Sequence, residues 1–501
     1  MRHAHAMSRW RWLAVASLAI LGACSRVPMG PAGPVTPADT VPPPIVHEMR
    51  GLWVATVRNI DWPSSPTLTA DQQRAELNDI LDRAKATGFN AIFLQVRSAA
   101  DAMYASPLEP WSASLTGTQG RDPGYDPLAY AVAQAHARGL ELHAWINPYR
   151  AGNTSDSAAL ASTHVFHTRR DLVRVYSGSL WLDPGEPEVQ DLVIRVVKDI
   201  AQRYDVDGVH ADDYFYPYSV NDASGARLEF PDSASYAKSG STLARDDWRR
   251  ANVDQFVQRL AREVHAVKPT IDVGISPFGI WRPGNPPSVA GLDAYTAIYA
   301  DSRKWLQQGW VDYLAPQLYW ANAAPQQSFS ALLDWWISQN TLGRNLWPGM
   351  AAYRVNDGTS APFSASEIPD QIRLTRARAG ATGELLYNTG GTLKKNGGAV
   401  AASIAPLYAS LAIAPTSRWL DSSPPPSPSL AVNGAQLTIT PGAGETARWW
   451  LVRTRRGGAW SARLVFGEQR SITLPAAPER VLVNAVDGAG NTSADVRWSA
   501  P

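Results

Sequence analysis

Asp212 and Asp213 stand side by side in VDGVHADDYFYP, residues 206–217, with Tyr214, Phe215 and Tyr216 directly after them. The run before the pair, 206–211, is apolar and strand-like, so the pair falls where a buried strand meets a loop. Two carboxyls this close cannot both ionise freely. One pKa must rise, which leaves an acid beside a base and suits acid/base or nucleophilic chemistry. An Asp-Asp pair also serves as a turn or a helix cap. What favours chemistry here is the set of elements around it.

From residue 46 onward, strand and helix patterns alternate. Strands are expected at 50–57, 89–97, 140–147, 206–211, 271–276, 311–319, 346–353 and 383–388. The run FNAIFLQVR at 89–97 is almost continuously apolar, as a parallel strand covered on both faces should be. Helices between the strands carry apolar stripes, such as Leu77, Ile80, Leu81 and Ala84 behind a Thr69/Gln72 capping box. Pro187 opens another, with Val189, Leu192, Val193, Val196, Val197 and Ile200 on one face. Asp126-Pro127 opens a third. A polar insertion runs from the third strand to about residue 180, and a second excursion covers 218–246. Eight strands alternating with helices is the count of a (β/α)8 TIM-type barrel with insertions, over 46–414. The rival, a doubly wound sheet, often carries a glycine-rich phosphate turn after its first strand, and none is present.

In such a barrel the C-terminal strand ends converge on one mouth, and residues two apart on a strand share a face. The mouth then collects Trp53, Gln95, Arg97, Trp145, Asn147, His210, Asp212, Ser276, Gln317, Tyr319, Tyr353 and Tyr387 or Asn388. Tyr214 and Trp320 follow directly on two of these strand ends. Amides, one Arg and many aromatic rings compose a carbohydrate cleft, in which rings stack on sugar faces and polar groups bind hydroxyls. The 20 Trp against 10 Phe agree with that use.

Other chemistry finds less support. A metal-dependent deacetylase would need Asp-His-His zinc ligation near His210. His164 and His167 lie in the insertion, His136 in a helix and His143 in mid-strand, so no metal is assigned. Ser276 lies in Gly274-Ile275-Ser276-Pro277-Phe278, which lacks the second glycine of a nucleophile elbow. With Lys+Arg 46 against Asp+Glu 45, the net charge of +1 gives no field that points to nucleic acid. No cofactor motif is present, and the oligomeric state is left open.

The single cysteine excludes an intrachain disulfide framework. Arg2, Arg9 and Arg11 precede an apolar stretch at 13–21, and Leu21-Gly22-Ala23-Cys24-Ser25 resembles a bacterial lipobox. Residues 1–23 are therefore read as a lipoprotein signal peptide. Cys24 is the lipidated residue, and Pro/Gly/Ala-rich 24–45 is a tether. This predicts a lipid-anchored envelope protein on the outer membrane, facing the periplasm. Residues 415–428, with SSPPPSP, read as a stiff linker. Short alternating strands in 429–501, ending in VLVNAVDGAGNTS, resemble a fibronectin type III-like β-sandwich.

RGLWVATVRNIDWPS, GFNAIFLQVR, HAWINPYR, VDGVHADDYFYP, DVGISPFGIWR and VDYLAPQLYW, in this order, resemble the glycosyl hydrolase-like family 10. The resemblance implies a TIM-like barrel and glycosidase activity on peptidoglycan glycan strands stripped of stem peptides, with Asp212 and Asp213 as the catalytic centre. In chitinase-like family 18 enzymes the fourth strand ends Asp-Gly-x-Asp-x-Asp-x-Glu. Here Asp207 and Asp212 match, while His210 and Tyr214 replace the second Asp and the Glu acid. An adjacent pair is instead similar to O-GlcNAcases and hexosaminidases. By that likeness Asp213 is the general acid/base, Asp212 orients the 2-acetamido group, and Tyr319 and His210 steady the intermediate. The alternative pairs one Asp with a distant carboxylate, Asp301 or Glu384. A non-enzymatic reading makes the chain a wall-binding lipoprotein.

Overall fold

The computed structural model describes residues 41–500, so Cys24, the signal region and most of the tether lie outside the described residues. Nine strands form one parallel sheet: β1 Met49–Val54, β2 Ala91–Arg97, β3 Glu141–Ile146, β4 Gly208–Ala211, β5 Asp272–Ile275, β6 Tyr313–Leu314, β7 Asn345–Leu346, β8 Gly349–Ala351 and β9 Gly383–Tyr387. Their order is β7-β6-β5-β4-β3-β2-β1-β9-β8. The two outer strands are consecutive pieces of one segment, interrupted at Trp347-Pro348. β7 pairs with β6, and β8 pairs with β9. The sheet therefore closes on itself, and the expected eight-stranded barrel is present. Pro348 has no N–H to give to a ladder, which accounts for the break. Pro316 likewise ends β6 well short of the expected 311–319.

A helix follows each barrel strand, with β7 and β8 counted as one. These are α1 Ala70–Thr87, α2 Pro127–Ala137, α3 Pro187–Arg203, α4 Arg245–His265, α5 Ser302–Gln307, α6 Phe329–Gln339, α7 Glu367–Arg376 and α8 Ala399–Ile404. The Thr69/Gln72 capping box forms, and Asp126 accepts the Ala129 N–H at 3.0 Å to open α2. Among the described residues, no helix is long and apolar enough to cross a membrane. The insertion after β3 is more ordered than its polarity suggests. It holds an antiparallel sheet of Arg150–Gly152, Ser179–Leu182 and Val173–Tyr176.

Two apolar layers result. Outward-facing strand residues pack against the helices, and an inner cluster of Met49, Trp53, Phe93, Trp145, Tyr313, Trp347 and Leu385 fills the barrel. Tyr313 and Trp347 stack at 4.1 Å, and Phe93 and His143 at 4.3 Å. Gly208 and Gly274 make room for these rings. A Cβ on Gly208 would stand 2.0 Å from His143 Nδ1, and one on Gly274 would stand 2.2 Å from the Tyr313 ring.

Beyond the barrel lie a three-stranded and a four-stranded sheet, the two layers of an all-β sandwich. The first holds β10 Ser429–Asn433, β11 Gln436–Thr440 and β14 Ser471–Thr473. The second holds β12 Trp449–Arg456, β13 Ala459–Phe466, β15 Arg480–Val486 and β16 Val496–Ser499. This sandwich docks on the barrel floor, where the strands begin. Arg448 pairs with Asp207 and Asp205, and His136 stacks on Phe466 at 4.7 Å. The segment read as a linker is fastened there too. Ser417 donates to Asp272 at 2.7 Å, and the Trp419 indole donates to Asp312 at 2.7 Å.

Candidate active site

At the opposite end, the mouth holds a cleft of about 220 Å³ lined by Trp53, Trp145, Asp212, Asp213, Tyr214, Tyr218, Ser276, Gln317, Tyr319 and Tyr387. Among the described residues, the pair supplies its only carboxyls. A larger cavity, about 500 Å³, lies at the floor between barrel and sandwich. There Asp205 and Asp207 are paired with Arg448, so we read that space as a packing gap and the smaller cleft as the site of chemistry.

β4 delivers the pair. Asp212 and Asp213 are both almost fully buried. Asp212 is held by three donors: the Trp145 indole at 3.2 Å, the Tyr214 backbone N–H at 3.3 Å, and the Asn147 amide. Asn147 is held in turn by Gln95, whose Nε2 donates to its Oδ1 at 2.5 Å. Asp213 accepts from the Tyr218 hydroxyl. Burial pushes Asp212 up to about 8, with the Asp213 charge adding to the rise and Arg150 opposing it. Burial also raises Asp213, against the hydrogen bonds of Tyr218 and Gln317. Two such carboxyls share a proton near neutrality, and their titration belongs to the pair.

His210 is a hub beneath the pair. Its Nε2 lies 3.1 Å from the Trp53 indole nitrogen and 3.0 Å from Ser276 Oγ, and its Nδ1 lies 3.0 Å from the Tyr313 hydroxyl. Burial, with His143 nearby, lowers its pKa well below the usual value and keeps it neutral. The indole can only donate, so Nε2 accepts and Nδ1 carries the proton. The Ser276–His210 contact lacks the carboxylate of a Ser-His-Asp triad, because a Tyr hydroxyl occupies that place. On the far wall, Tyr319 stacks on Tyr387 at 5.9 Å, and Tyr353 meets both edge-on.

Of the expected mouth residues, Trp53, Trp145, Tyr214, Ser276, Gln317, Tyr319 and Tyr387 line the cleft with the pair. Asn147 and His210 stand one layer behind it. Gln95 is no surface for substrate: it is 1 % exposed, and its Oε1 accepts the N–H groups of Thr56 and Val57, both at 2.9 Å. Arg97 is a clear correction. It is fully buried and bound by Glu109 at 2.6 Å and by the carbonyl of Pro148. A register shift between Gln95 and Arg97 breaks the alternation that would have aimed both inward. Trp320 is also outside the lining; it packs edge-on against Phe278 at 5.7 Å. Neither distant carboxylate reaches the pair. Glu384 is buried under Tyr408, and Asp301 accepts the Trp281 indole at 2.9 Å.

Sequence reasoning missed Tyr218, Arg150 and Asp61. Arg150 lays its guanidinium over Tyr214, 4.0 Å from the ring centroid. Asp61 joins the loops after β1 and β9, accepting from Ala55 N at 2.9 Å and from Asn388 and Gly390 N, both at 2.8 Å. Asp61 and Tyr218 lie in loops and Arg150 opens a three-residue strand, so no long periodicity marks them. The signal within reach was the place of Asp61 and Arg150 in RGLWVATVRNIDWPS and HAWINPYR, and of Tyr218 directly after VDGVHADDYFYP.

Fold and cleft together give a (β/α)8 barrel with a buried carboxyl pair in the cleft at its mouth. Residues 48–364 match the family model described as glycosyl hydrolase-like 10. The glycosyl hydrolase YngK of Bacillus subtilis (strain 168) is 39% identical over 77% of this chain and 76% of its own length. The glycosyl hydrolase DigH of Escherichia coli (strain K12) is 37% identical over 74% and 91%. Among solved structures, the PgaB (BpsB) glycoside hydrolase domain from Bordetella bronchiseptica aligns with TM-score 0.48 and 16% identity, over 72% of this chain and 99% of that one. The chain belongs to the glycosyl hydrolase-like 10 family and is a glycosidase by class.

Proposed function

We propose that this glycosidase cleaves a β-linked N-acetylhexosamine polymer of the cell wall, most closely peptidoglycan glycan strands that have lost their stem peptides. One observation carries the reading: among the described residues, the only cleft carboxyls are adjacent, and they are held differently. Asp212 is fixed by three donors, while Asp213 meets the cleft beside Tyr218. The acetamide N–H of a bound sugar donates to Asp212 and favours its ionised form. The proton shared by the pair then resides on Asp213.

Cleavage follows with atoms balanced. The acetamide carbonyl oxygen attacks the anomeric carbon, the glycosidic C–O bond breaks, and Asp213 gives its proton to the leaving oxygen. Ionised Asp212 faces the positive oxazolinium. Water then attacks the anomeric carbon, losing a proton to Asp213, and the ring opens with net retention. This substrate-assisted route is an exception to the rule of two separated carboxylates. Tyr319, Tyr387 and Trp145 supply faces for sugar rings. No cofactor enters any step.

The lipobox-like stretch ending at Cys24 supports a lipid-anchored envelope location, probed by loss of acyl labelling in Cys24→Ala. The main test is mass spectrometry of peptide-free glycan strands incubated with the protein. Wild type is expected to release short saccharides, and Asp213→Asn to slow this at least ~10²-fold. Intact strands that co-sediment with wild type would instead make the protein a wall binder.

A further inference from the structure

We propose that Arg150 binds a carboxylate on the substrate, namely the lactyl carboxylate that a glycan strand exposes once its stem peptide is gone. The inference rests on the reading of the cleft given above and adds its specificity determinant.

Arg150 differs from the other buried arginines of the barrel. Arg97 is paired with Glu109, Arg50 with Glu48, and Arg249 with Asp232. Arg150, 9 % exposed, pairs with no carboxylate among the described residues; its contact is the face of Tyr214. A largely buried guanidinium that rests on a tyrosine and has no carboxylate partner, yet keeps its nitrogens open to solvent, is placed to receive an anion, and its planar fork fits a carboxylate.

Its position is built. Arg150 pairs in register with Trp181 in the insertion sheet, and the Trp181 indole donates to the Phe215 carbonyl at 2.8 Å. The insertion is thereby fastened to the loop that carries the pair. The charge of Arg150 is felt at both Asp212 and Asp213, so it sits within the electrostatic reach of the reacting bond. Tyr214, on which it rests, is a wall of the cleft.

The chemistry discriminates. On a strand that retains its peptide, the lactyl carboxyl is an amide and carries no charge. On a stripped strand it is a carboxylate. An unmatched cation beside the cleft favours the second through a charge-assisted pair that the amide cannot form.

The test compares peptide-free strands with the same strands after carbodiimide coupling to ammonia, which turns the carboxylate into a primary amide. Wild type is expected to lose about tenfold or more in kcat/KM on the amidated strands. Arg150→Gln should lose a similar factor on native strands and little more on amidated ones, whereas Arg150→Lys should keep part of the preference. Wild-type rates within about twofold on the two substrates would overturn the proposal while the hydrolase reading stands. This arm needs no variant, so a folding defect cannot obscure it. Binding of both strands to wild type separates the remaining cases. Strands that wild type leaves uncut but binds in preference to amidated ones would overturn the hydrolase reading and leave Arg150 in place. Strands left uncut by wild type and bound without preference would overturn both.

Discussion

Asp207 and Asp212 lie five residues apart on the two ends of β4, and both are buried, yet folding drives them in opposite directions. Burial alone would raise Asp207, but Arg448 and His136 hold it well below the usual carboxylate range. Burial raises Asp212 to about 8, with Asp213 adding a like charge, and Arg150, which makes no ion pair with it, opposes the rise only in part. The floor of the barrel uses its carboxyls to fasten the sandwich. The mouth keeps its carboxyls protonatable. Asp272 shows that the partner rather than the location decides the outcome. It is at the floor, but Ser417 is neutral, and burial with the Asp312 charge raises it.

The sharpest way to break this contrast is to substitute at both ends. Asp213→Asn at the mouth should slow hydrolysis at least ~10²-fold while leaving the melting temperature intact or higher. Arg448→Leu at the floor should leave the rate per folded molecule unchanged, which steady-state kinetics at matched folded concentration would check. It strands Asp207 without its cation, so denaturant unfolding should show a loss of about 3 kcal/mol. Asp205 adds little to that figure, since it is half exposed and screened. Equal effects of both substitutions on rate and stability would erase the distinction between floor and mouth.

A smaller effect concerns positioning. Asn147→Ala removes the link from Gln95 to Asp212 without touching the proton donor. The expected result is a fall in kcat of about tenfold with KM less changed, as for a misplaced catalytic group. The smallest effect is on stability against pH. A carboxyl raised by folding supports the fold below its unfolded value of 3.8 and weakens it as pH climbs toward about 8. Asp207, being depressed, does the reverse: its support is present above its unfolded value and is lost as pH falls through its folded one. Melting curves of Asp212→Asn against wild type should therefore diverge in favour of the variant as pH rises from 4 to 8. Curves that stay parallel would mean that Asp212 bears no such strain.

The parts legible in the sequence were those written as periodicity. The eight-stranded barrel, the capping boxes and the Asp pair at a strand end all follow from alternation and composition. Arg97 was misread because a bulge shifts the register at the residue in question, and a bulge leaves no trace in an alternating pattern. Trp320 was misread because strand six ends at Pro316, after which direction is set by loop packing. Tyr218 reaches the site from a loop and Arg150 from a short strand of the insertion sheet, where it pairs with Trp181. In the sandwich, β10, β13 and β16 are half exposed, so burial imprints only a weak alternation on their sequences.

The split between β7 and β8 gives the barrel a seam. At Trp347-Pro348 the ladder changes partners, and Gln317 joins its neighbours through two single bridges, to Phe278 and to Gly349, and through its side-chain amide, which donates to the Ser276 carbonyl at 2.9 Å. In native-state hydrogen exchange, amides along this seam should open before those of β1 to β4, where the ladders are longer. Gln317 is also a wall of the cleft, with Tyr319 two residues on. A seam that opens first would make this the side at which the proposed glycan enters and leaves, while β4 holds the carboxyls.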